Sequence, residues 1–478
     1  MIFTSPVFIC FFVVTYCLYL LARKERPRQW VLLLASFVFY GWWDYRFLAL
    51  LGGDILIAYS GASLIVRYPA KRRFFVTLSA GLLLSSLFVF KYCNFALQAF
   101  SGFLDTFGFS PSIPLSRIIL PVGISFYVFQ AISYLVDIYR EKLETQSLFN
   151  VALYISFFPQ LVAGPIVRAT DFFPQLGRRA FNHGRQLKGI TEFVTGFLYK
   201  SVLADNLALL SDPIFADLDR YDNLSVLAAS VSFYSQIYFD FAGYSLMAIG
   251  VARILGFDFR DNFNYPYRAV SVSDFWQRWH ISLSTWLRDY LYIPLGGNRN
   301  GRFNHYRNLM LTMLLGGLWH GASWNFVIWG GLHGSGLVLG KAFERLKLSA
   351  GIRRGAPFTV GVLLILSWLA TQLFVFLCWI PFRLQAFPDT LKALSAVLNI
   401  RDDQNLAGAD INWGFLLLPV LADTALSWLK PGRGLEIYCR WMQDRFASAV
   451  LIVFLALIFS LLLVFVPLKI VPFLYFQF

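Results

Sequence analysis

The amino-acid sequence predicts an all-α, polytopic integral membrane protein with about 12 transmembrane helices, plus re-entrant and interfacial helices around a central cavity. Hydrophobic residues make up 58% of the 478 residues, and charged residues make up only 14%. Soluble chains are roughly 45–50% apolar and about 25% charged, so this chain has too few charges to cover a soluble globule. The same composition excludes disordered, collagen-like, coiled-coil and small disulfide-rich proteins.

Apolar runs of about 20 residues mark the expected spans, because a helix of that length crosses the hydrocarbon core of a bilayer. The first run is followed rather than preceded by basic residues and has no small-residue cleavage site, so we expect an uncleaved anchor. The absence of internal repeats and linkers predicts a single integral domain over 1–478, with a motif-bearing core at about 118–340. The apolar runs are 6–22, 29–43, 47–66, 74–92, 118–136, 189–209, 225–255, 308–327, 328–346, 357–380, 413–429 and 447–470.

The charges between the runs predict the orientation of the spans. With the N-terminus outside and strict alternation, most Lys and Arg residues fall in cytoplasmic segments, whereas acids such as Asp212 and Asp389 fall outside. This distribution follows the positive-inside rule. The formal net charge of +14 therefore indicates topology, and we expect no nucleic-acid partner.

One apolar stretch, 157–165, is too short for a span and contains the prolines Pro159 and Pro165. Short apolar runs suit re-entrant or interfacial elements. Irregular backbone at membrane depth needs cover from protein or a wet cavity, so the stretch indicates a cavity on the cytoplasmic side. An ordinary loop between two helices is the alternative interpretation.

Histidines and acids inside apolar runs are costly in a bilayer, which makes them the best candidates for functional residues. His320 lies well inside the run 308–327, which predicts a position about midway across the bilayer. Gly317 and Gly321 form a GxxxG pattern that allows another helix to come close and leaves room for a substrate beside the imidazole. A histidine hydrogen-bonded between packed helices is the alternative.

His280 lies in a segment with a different pattern. Residues 274–290 place aromatic and aliphatic side chains on one face at helical spacing and polar side chains on the other, with Ile281 as the exception. This pattern predicts one amphipathic helix along the membrane interface. His280 falls at the border of the two faces, where it either points into a cavity under the helix or has no chemical role.

Asp240 lies in the run 225–255, where an acid must pair, be protonated or face water. It either orients a histidine, binds a polar substrate or pairs with an arginine. The sequence contains no P-loop, GxSxG, HExxH or HxxxxD motif, and the five cysteines have no metal-binding spacing. The expected chemistry therefore needs little beyond histidine and a shaped cavity, and we expect no metal site.

Ordered motifs along the chain resemble those of the membrane-bound O-acyltransferase (MBOAT) family, most of all its bacterial alginate O-acetylation protein I branch. The resemblance covers about residues 1–340. It departs at Leu246, where the branch has an aspartate. The matching motifs are 121–127, 158–165, 238–241, 262–267, 279–298, 306–309 and 314–322.

The resemblance implies a histidine-dependent O-acetyltransferase of the bacterial inner membrane, with His320 in the catalytic position and His280 as the second histidine. It implies no permanently bound cofactor. The donor would be a cytosolic thioester such as acetyl-CoA, and the acceptor a hydroxyl of a secreted polysaccharide, reached directly or through a periplasmic acetyltransferase partner. The supporting or substrate-binding candidates are Gln236, Asp240, Ser284, Arg288, Trp319 and Asn325.

Several functions stay open on the sequence. Alginate is the first candidate acceptor; acetylated cellulose, peptidoglycan, another exopolysaccharide and D-alanyl transfer to teichoic acid are alternatives. A transporter or flippase with an intramembrane polar site, or a scaffold for a secretion complex, has the same composition. The lack of sequence repeats and of a chain of charged relay residues argues against transport.

Overall fold

In the computed structural model, the described part of the chain is all-helical, as the sequence predicts. The structure describes residues 1–109, 118–177, 183–299, 301–349, 357–399, 409, 411–426 and short stretches between 453 and 474. The N-terminal helices are α1 (Pro6–Leu21), α2 (Glu25–Gly41), α3 (Phe47–Arg67), α4 (Arg72–Leu87), α5 (Cys93–Asp105), α6 (Ile124–Tyr139), α7 (Leu148–Ser156), α8 (Phe158–Leu161), α9 (Ala169–Phe172) and α10 (His183–Phe197). The later helices are α11 (Asp205–Ala216), α12 (Asn223–Ile254), α13 (Val272–Arg278), α14 (Ile281–Leu287), α15 (Gly301–His320), α16 (Trp324–Ser349), α17 (Pro357–Arg383), α18 (Phe387–Leu398) and α19 (Trp413–Leu426).

Within the described residues, five helical segments are long and apolar enough to cross a membrane. Three shorter apolar helices among the same residues are α1, α6 and the segment Trp413–Ala425 of α19. The predicted count of about 12 spans is not confirmed, and the predicted run 447–470 lies largely outside the described residues. The five segments are Phe47–Arg67, Pro69–Asp105, His183–Ala216, Asn223–Ile254 and Gly361–Arg383.

The described chain divides into two compact units. The first unit comprises Met1–Phe193 and Tyr244–Arg260, and the second comprises Val194–Gly243 and Asp261–Phe478. Every candidate site residue from the sequence belongs to the second unit.

An aromatic core in the first unit includes the irregular stretch 157–165. Phe39 packs against Phe8 and Phe158, with ring centroids 6.1 and 5.6 Å apart. Residues 157–165 form the short helix α8 and a turn, and all of them are buried. The structure therefore matches an irregular element covered by protein rather than an exposed loop.

Helices α15 and α16 in the second unit cross at two glycines. A Cβ atom at Gly317 would overlap the carbonyl oxygen of Phe326 on α16, and one at Gly330 would overlap the carbonyl oxygen of Met313 on α15. This crossing confirms the close helix approach that the GxxxG pattern predicts. A Cβ at Gly321 would instead overlap the ring of Phe326. The Phe326 side chain of α16 therefore fills the space at Gly321, and the room for a substrate beside the His320 imidazole stays a prediction.

Gly317→Ala should lower the free energy of unfolding by about 3 kcal/mol or more, because the added methyl group meets backbone that cannot rotate away. Gly340→Ala on α16 is the matched control, since a Cβ there would meet nothing within 4 Å. The control should stay within about 1 kcal/mol of the wild type. Thermal unfolding in detergent measures both, and equal melting temperatures for the two variants would contradict the crossing.

Candidate active site

His320 occupies the corner between α15 and α16. It is the last residue of α15, and only 3% of its surface is exposed. The helix therefore ends at His320 instead of continuing through the apolar run 308–327, because Ser323 caps α16 by accepting a hydrogen bond from the amide of Asn325 at 3.2 Å. The depth of His320 in the bilayer stays a prediction.

Aromatic rings enclose the His320 imidazole edge to face. The rings of Trp319, Trp329 and Phe382 lie 5.0, 5.0 and 5.2 Å from it, centroid to centroid. Packed rings leave an imidazole few alternative rotamers. His320 is therefore held in one orientation by its neighbours.

His280 lies at a break between two helices and is fully buried. The prediction of a single amphipathic helix over 274–290 is wrong, because α13 ends at Arg278 and α14 begins at Ile281. The backbone of His280 has a φ of +42°, in the left-handed region that a non-glycine residue occupies at a cost of roughly 1–3 kcal/mol. The aromatic face of the segment packs inside the second unit, as Trp276 and Trp279 are buried.

Asn262 stabilises this break from outside the segment. Its main-chain oxygen accepts a hydrogen bond from the amide of Ile281 at 2.9 Å. Its side-chain oxygen accepts hydrogen bonds from the amide and the hydroxyl of Ser282 at 3.1 and 2.8 Å. Asn262 therefore caps the N-terminus of α14 although it lies about 20 residues earlier in the chain.

The same amide oxygen determines the tautomer of His280. Oδ1 of Asn262 lies 3.2 Å from Nδ1 of His280. Because this oxygen can only accept, Nδ1 must carry the proton. Nε2 of a neutral His280 then presents a lone pair.

Trp319 contacts both candidate histidines. Its ring centroid lies 5.9 Å from that of His280 and 5.0 Å from that of His320. Phe241 also packs against His280, with its ring centroid 4.6 Å from that of the imidazole. The structure thus brings together three of the residues chosen from the sequence: two buried imidazoles and an indole that contacts both.

Burial lowers the pKa of His280 to about 3, from an ordinary value near 6.5. The folded protein therefore favours the neutral ring, and its stability falls as the pH drops below about 6.5 toward the folded pKa. His280→Asn keeps a residue that tolerates the left-handed backbone and cannot be protonated. We expect wild type to lose roughly 3 kcal/mol more than this variant between pH 6.5 and pH 4, measured as unfolding midpoints in detergent. Equal acid sensitivity of the two proteins would show that His280 is not the group responsible.

Asp240 forms a buried ion pair with a residue that the sequence analysis did not select. Lys200 Nζ lies 2.7 Å from Asp240 Oδ1 and 2.6 Å from Asp205 Oδ1. The other oxygen of Asp240 accepts a hydrogen bond from the amide of Leu474 at 2.8 Å. Asp240 therefore pairs with a lysine, not an arginine, and attaches the C-terminal stretch to α12.

Two other candidates form hydrogen bonds between helices. Oε1 of Gln236 accepts from the hydroxyl of Ser211 at 2.6 Å. Nδ2 of Asn325 donates to the Leu384 carbonyl at 2.7 Å and to the Thr390 hydroxyl at 3.0 Å. These bonds contribute to the packing of the second unit, and the supporting roles of both residues stay predictions.

The last two candidates, Ser284 and Arg288, bond to residues close to them in the sequence. The hydroxyl of Ser284 donates to the Trp279 carbonyl at 3.1 Å. Arg288 pairs with the adjacent Asp289 at 2.7 Å, and 59% of its side chain is exposed. Neither contact involves an imidazole.

Two residues of this region were missed, and each had a signal. Lys200 is a cation within the apolar run 189–209, which is the same signal that singles out Asp240. Asn262 belongs to the motif 262–267 but carries no charge, so nothing in its own segment singled it out. Among the described residues, no group of three His, Cys, Asp or Glu side chains could hold a metal ion.

The sequence is similar to those of known membrane acyltransferases. A sequence model of the membrane-bound O-acyltransferase family matches residues 71–379. The chain is 40% identical to the Pseudomonas putida protein named "Probable alginate O-acetylase AlgI". The alignment of 410 residues covers 84% of this chain and 81% of that protein. It is 36% identical over 439 residues to the Helicobacter pylori "Peptidoglycan O-acetyltransferase", covering 84% and 80%.

A more distant relative extends the similarity beyond acetyl transfer. The Streptococcus thermophilus "Teichoic acid D-alanyltransferase" is 30% identical over 242 residues, which are 47% of this chain and 58% of that protein. The family match spans more than half of the chain, includes both candidate histidines, and is joined by relatives that align with most of its length. The chain therefore belongs to the membrane-bound O-acyltransferase family.

Proposed function

We propose that this protein transfers an acetyl group from a cytosolic thioester, such as acetyl-CoA, to a hydroxyl of a secreted polysaccharide. The observation that carries the proposal is the pair of buried imidazoles, His280 and His320, which both contact the Trp319 indole. The similarity to proteins named as acetyl transferases supports acetyl as the group transferred.

The acceptor hydroxyl and the thioester react in one displacement. His320 accepts the hydroxyl proton as the oxygen attacks the thioester carbonyl carbon, because imidazole has an ordinary pKa near 6.5, close to the working pH. The tetrahedral intermediate collapses, the carbon–sulfur bond breaks, and the imidazolium returns the proton to the departing sulfur. The products are an acetyl ester and a free thiol.

His280 orients the acceptor in this mechanism. Asn262 holds the proton on Nδ1, so Nε2 can accept a hydrogen bond from a hydroxyl but cannot donate one. The depressed pKa keeps this ring neutral at physiological pH. A fixed acceptor beside the base reduces the freedom of the hydroxyl before attack.

Alginate or a related polymer is the acceptor that we favour. Identity to the Pseudomonas putida protein named for alginate is 40%, against 36% for the Helicobacter pylori protein named for peptidoglycan. The membrane would be the bacterial inner membrane, crossed about 12 times, with the donor inside. A periplasmic acetyltransferase partner would complete the transfer where the polymer itself does not reach the site.

Deleting the gene should abolish O-acetylation of the polysaccharide that the source bacterium secretes, and the full-length chain should restore it. Acetyl ester content of the purified polymer is the measurement. In parallel, purified protein with acetyl-CoA and polymer should release free thiol. Solute flux across vesicles without thiol release would contradict the enzyme and favour a transporter.

A further inference from the structure

His333 is a buried histidine to which neither the motifs nor the proposed mechanism assigns a role. It lies on α16 and is fully buried. Its ring centroid lies 4.7 Å from that of Trp329 and 5.3 Å from that of Trp276. Phe275 and Phe374 complete the surroundings at 6.0 and 5.6 Å. We call these five residues the His333 cluster.

Trp276 determines which nitrogen of His333 carries the proton. The indole Nε1–H of Trp276 donates a hydrogen bond to Nδ1 of His333 at 3.2 Å. An indole nitrogen can only donate, so Nδ1 must be unprotonated. His333 is therefore a neutral ring whose Nε2 bears a hydrogen.

The cluster contains two N–H groups without an acceptor. Nε2 of His333 and Nε1 of Trp329 meet no hydrogen-bond partner within the part of the chain that the structure describes. Their residues are 0% and 1% exposed, so solvent does not reach them from the surface. Buried donors without partners are costly, and phenylalanine would fill either position without that cost.

The cluster adjoins the proposed base. The Trp329 ring contacts both His320 and His333, with centroid distances of 5.0 and 4.7 Å. Because Trp329 and His333 are four residues apart on one helix, their rings lie on the same face. The Trp329 N–H thus belongs to a ring in contact with the proposed base, and the His333 N–H belongs to the next ring along.

We propose that His333 and Trp329 form a hydrogen-bonding subsite for a carbonyl oxygen of the acyl donor. The subsite rests on the proposed acetyl transfer. A carbonyl fits because it only accepts hydrogen bonds and is neutral: the cluster offers two donors and no positive charge. A phosphate would lack a cation there, and a hydroxyl would bring a donor of its own that needs an acceptor.

The distance from the base determines the kinetic effect. His333 would bind a part of the donor that does not react. Its hydrogen bond would therefore stabilise the bound substrate and the transition state equally. Loss of that bond should raise KM for the donor about tenfold and leave kcat within about twofold.

The test uses the full chain in detergent, with acetyl-CoA as the probe and polymer as the acceptor. The double variant Trp276→Phe/His333→Phe removes the donor without leaving the Trp276 N–H unsatisfied, and it keeps aromatic rings at both positions. We expect its melting temperature without ligand to equal or exceed that of wild type. KM should rise about tenfold, and the upward shift of the melting temperature with acetyl-CoA should shrink. His333→Gln, which keeps an N–H donor, should stay within about threefold of the wild-type KM.

The readouts separate this inference from the function on which it rests. Thiol release with an unchanged KM and melting shift in the double variant would overturn the subsite and leave acetyl transfer intact. A melting shift that shrinks in the variant, with no thiol release by wild type, would support the subsite and overturn the transfer. If acetyl-CoA is neither cleaved by wild type nor stabilises it, both proposals are wrong.

Discussion

His320→Gln should reduce acetyl transfer by about a thousandfold or more while the protein stays folded. A general base contributes roughly 10²–10⁴ to the rate, and glutamine cannot accept the proton. Glutamine nearly fills the space between Trp319, Trp329 and Phe382, so the packing around the site changes little. Acetyl content of the polymer and thiol release from acetyl-CoA measure the loss.

The controls distinguish chemistry from packing. His183 is an exposed histidine on α10, and His183→Ala should retain full activity. Comparing protein amount and melting temperature among the variants shows whether each is folded. A well-folded His320→Gln protein that still acetylates the polymer at the wild-type rate would end the assignment of His320 as the base.

Lys200→Met should destabilise the protein by about 3–5 kcal/mol, because it leaves two buried carboxylates without their cation. Only 1% of the side chains of Lys200 and Asp240 is exposed, and 11% of that of Asp205. Lys200→Met/Asp240→Asn should recover part of the loss, since the neutral amide still accepts from Leu474. Thermal unfolding in detergent measures both variants.

An exposed ion pair provides the comparison for Lys200. Lys392 and Asp219 lie 2.9 Å apart with 51% and 77% of their side chains exposed. Lys392→Met should leave the melting temperature unchanged, because water already solvates both charges. Equal changes of melting temperature in Lys200→Met and Lys392→Met would contradict a stabilising role for the buried ion pairs of Lys200 with Asp240 and Asp205.

Hydropathy located the long helices well. The runs 225–255 and 357–380 correspond to α12, Asn223–Ile254, and α17, Pro357–Arg383. The break after His320 had a local signal in Gly321 and Ser323, which a window average over apolar residues does not register. The break at His280 had none, because its cap is Asn262 in another segment.

The candidate site could also be predicted in part, because some of its residues stand out in their own stretch of sequence. Histidines within apolar sequence are conspicuous, so the sequence alone singles out His280 and His320, and the fold places the Trp319 ring in contact with both. Their chemical roles stay predictions. Lys200 became visible as the partner of Asp240, and His333 became a candidate only with Trp276 and Trp329 around it.

Composition and helical periodicity by themselves establish a membrane-bound, helical chain and the identity of its buried polar residues, because each of these depends on neighbours within a few turns of helix. Three features depend on groups far apart in the chain. They are the ring nitrogen of each imidazole that carries the proton, the cation that pairs with Asp240, and the break between helices at His280. The amide of Leu474 reaches Asp240 across 234 residues. Hydrogen bonds and ion pairs act only over a few ångströms, so these pairings exist only once the packing of the helices has brought the partners together.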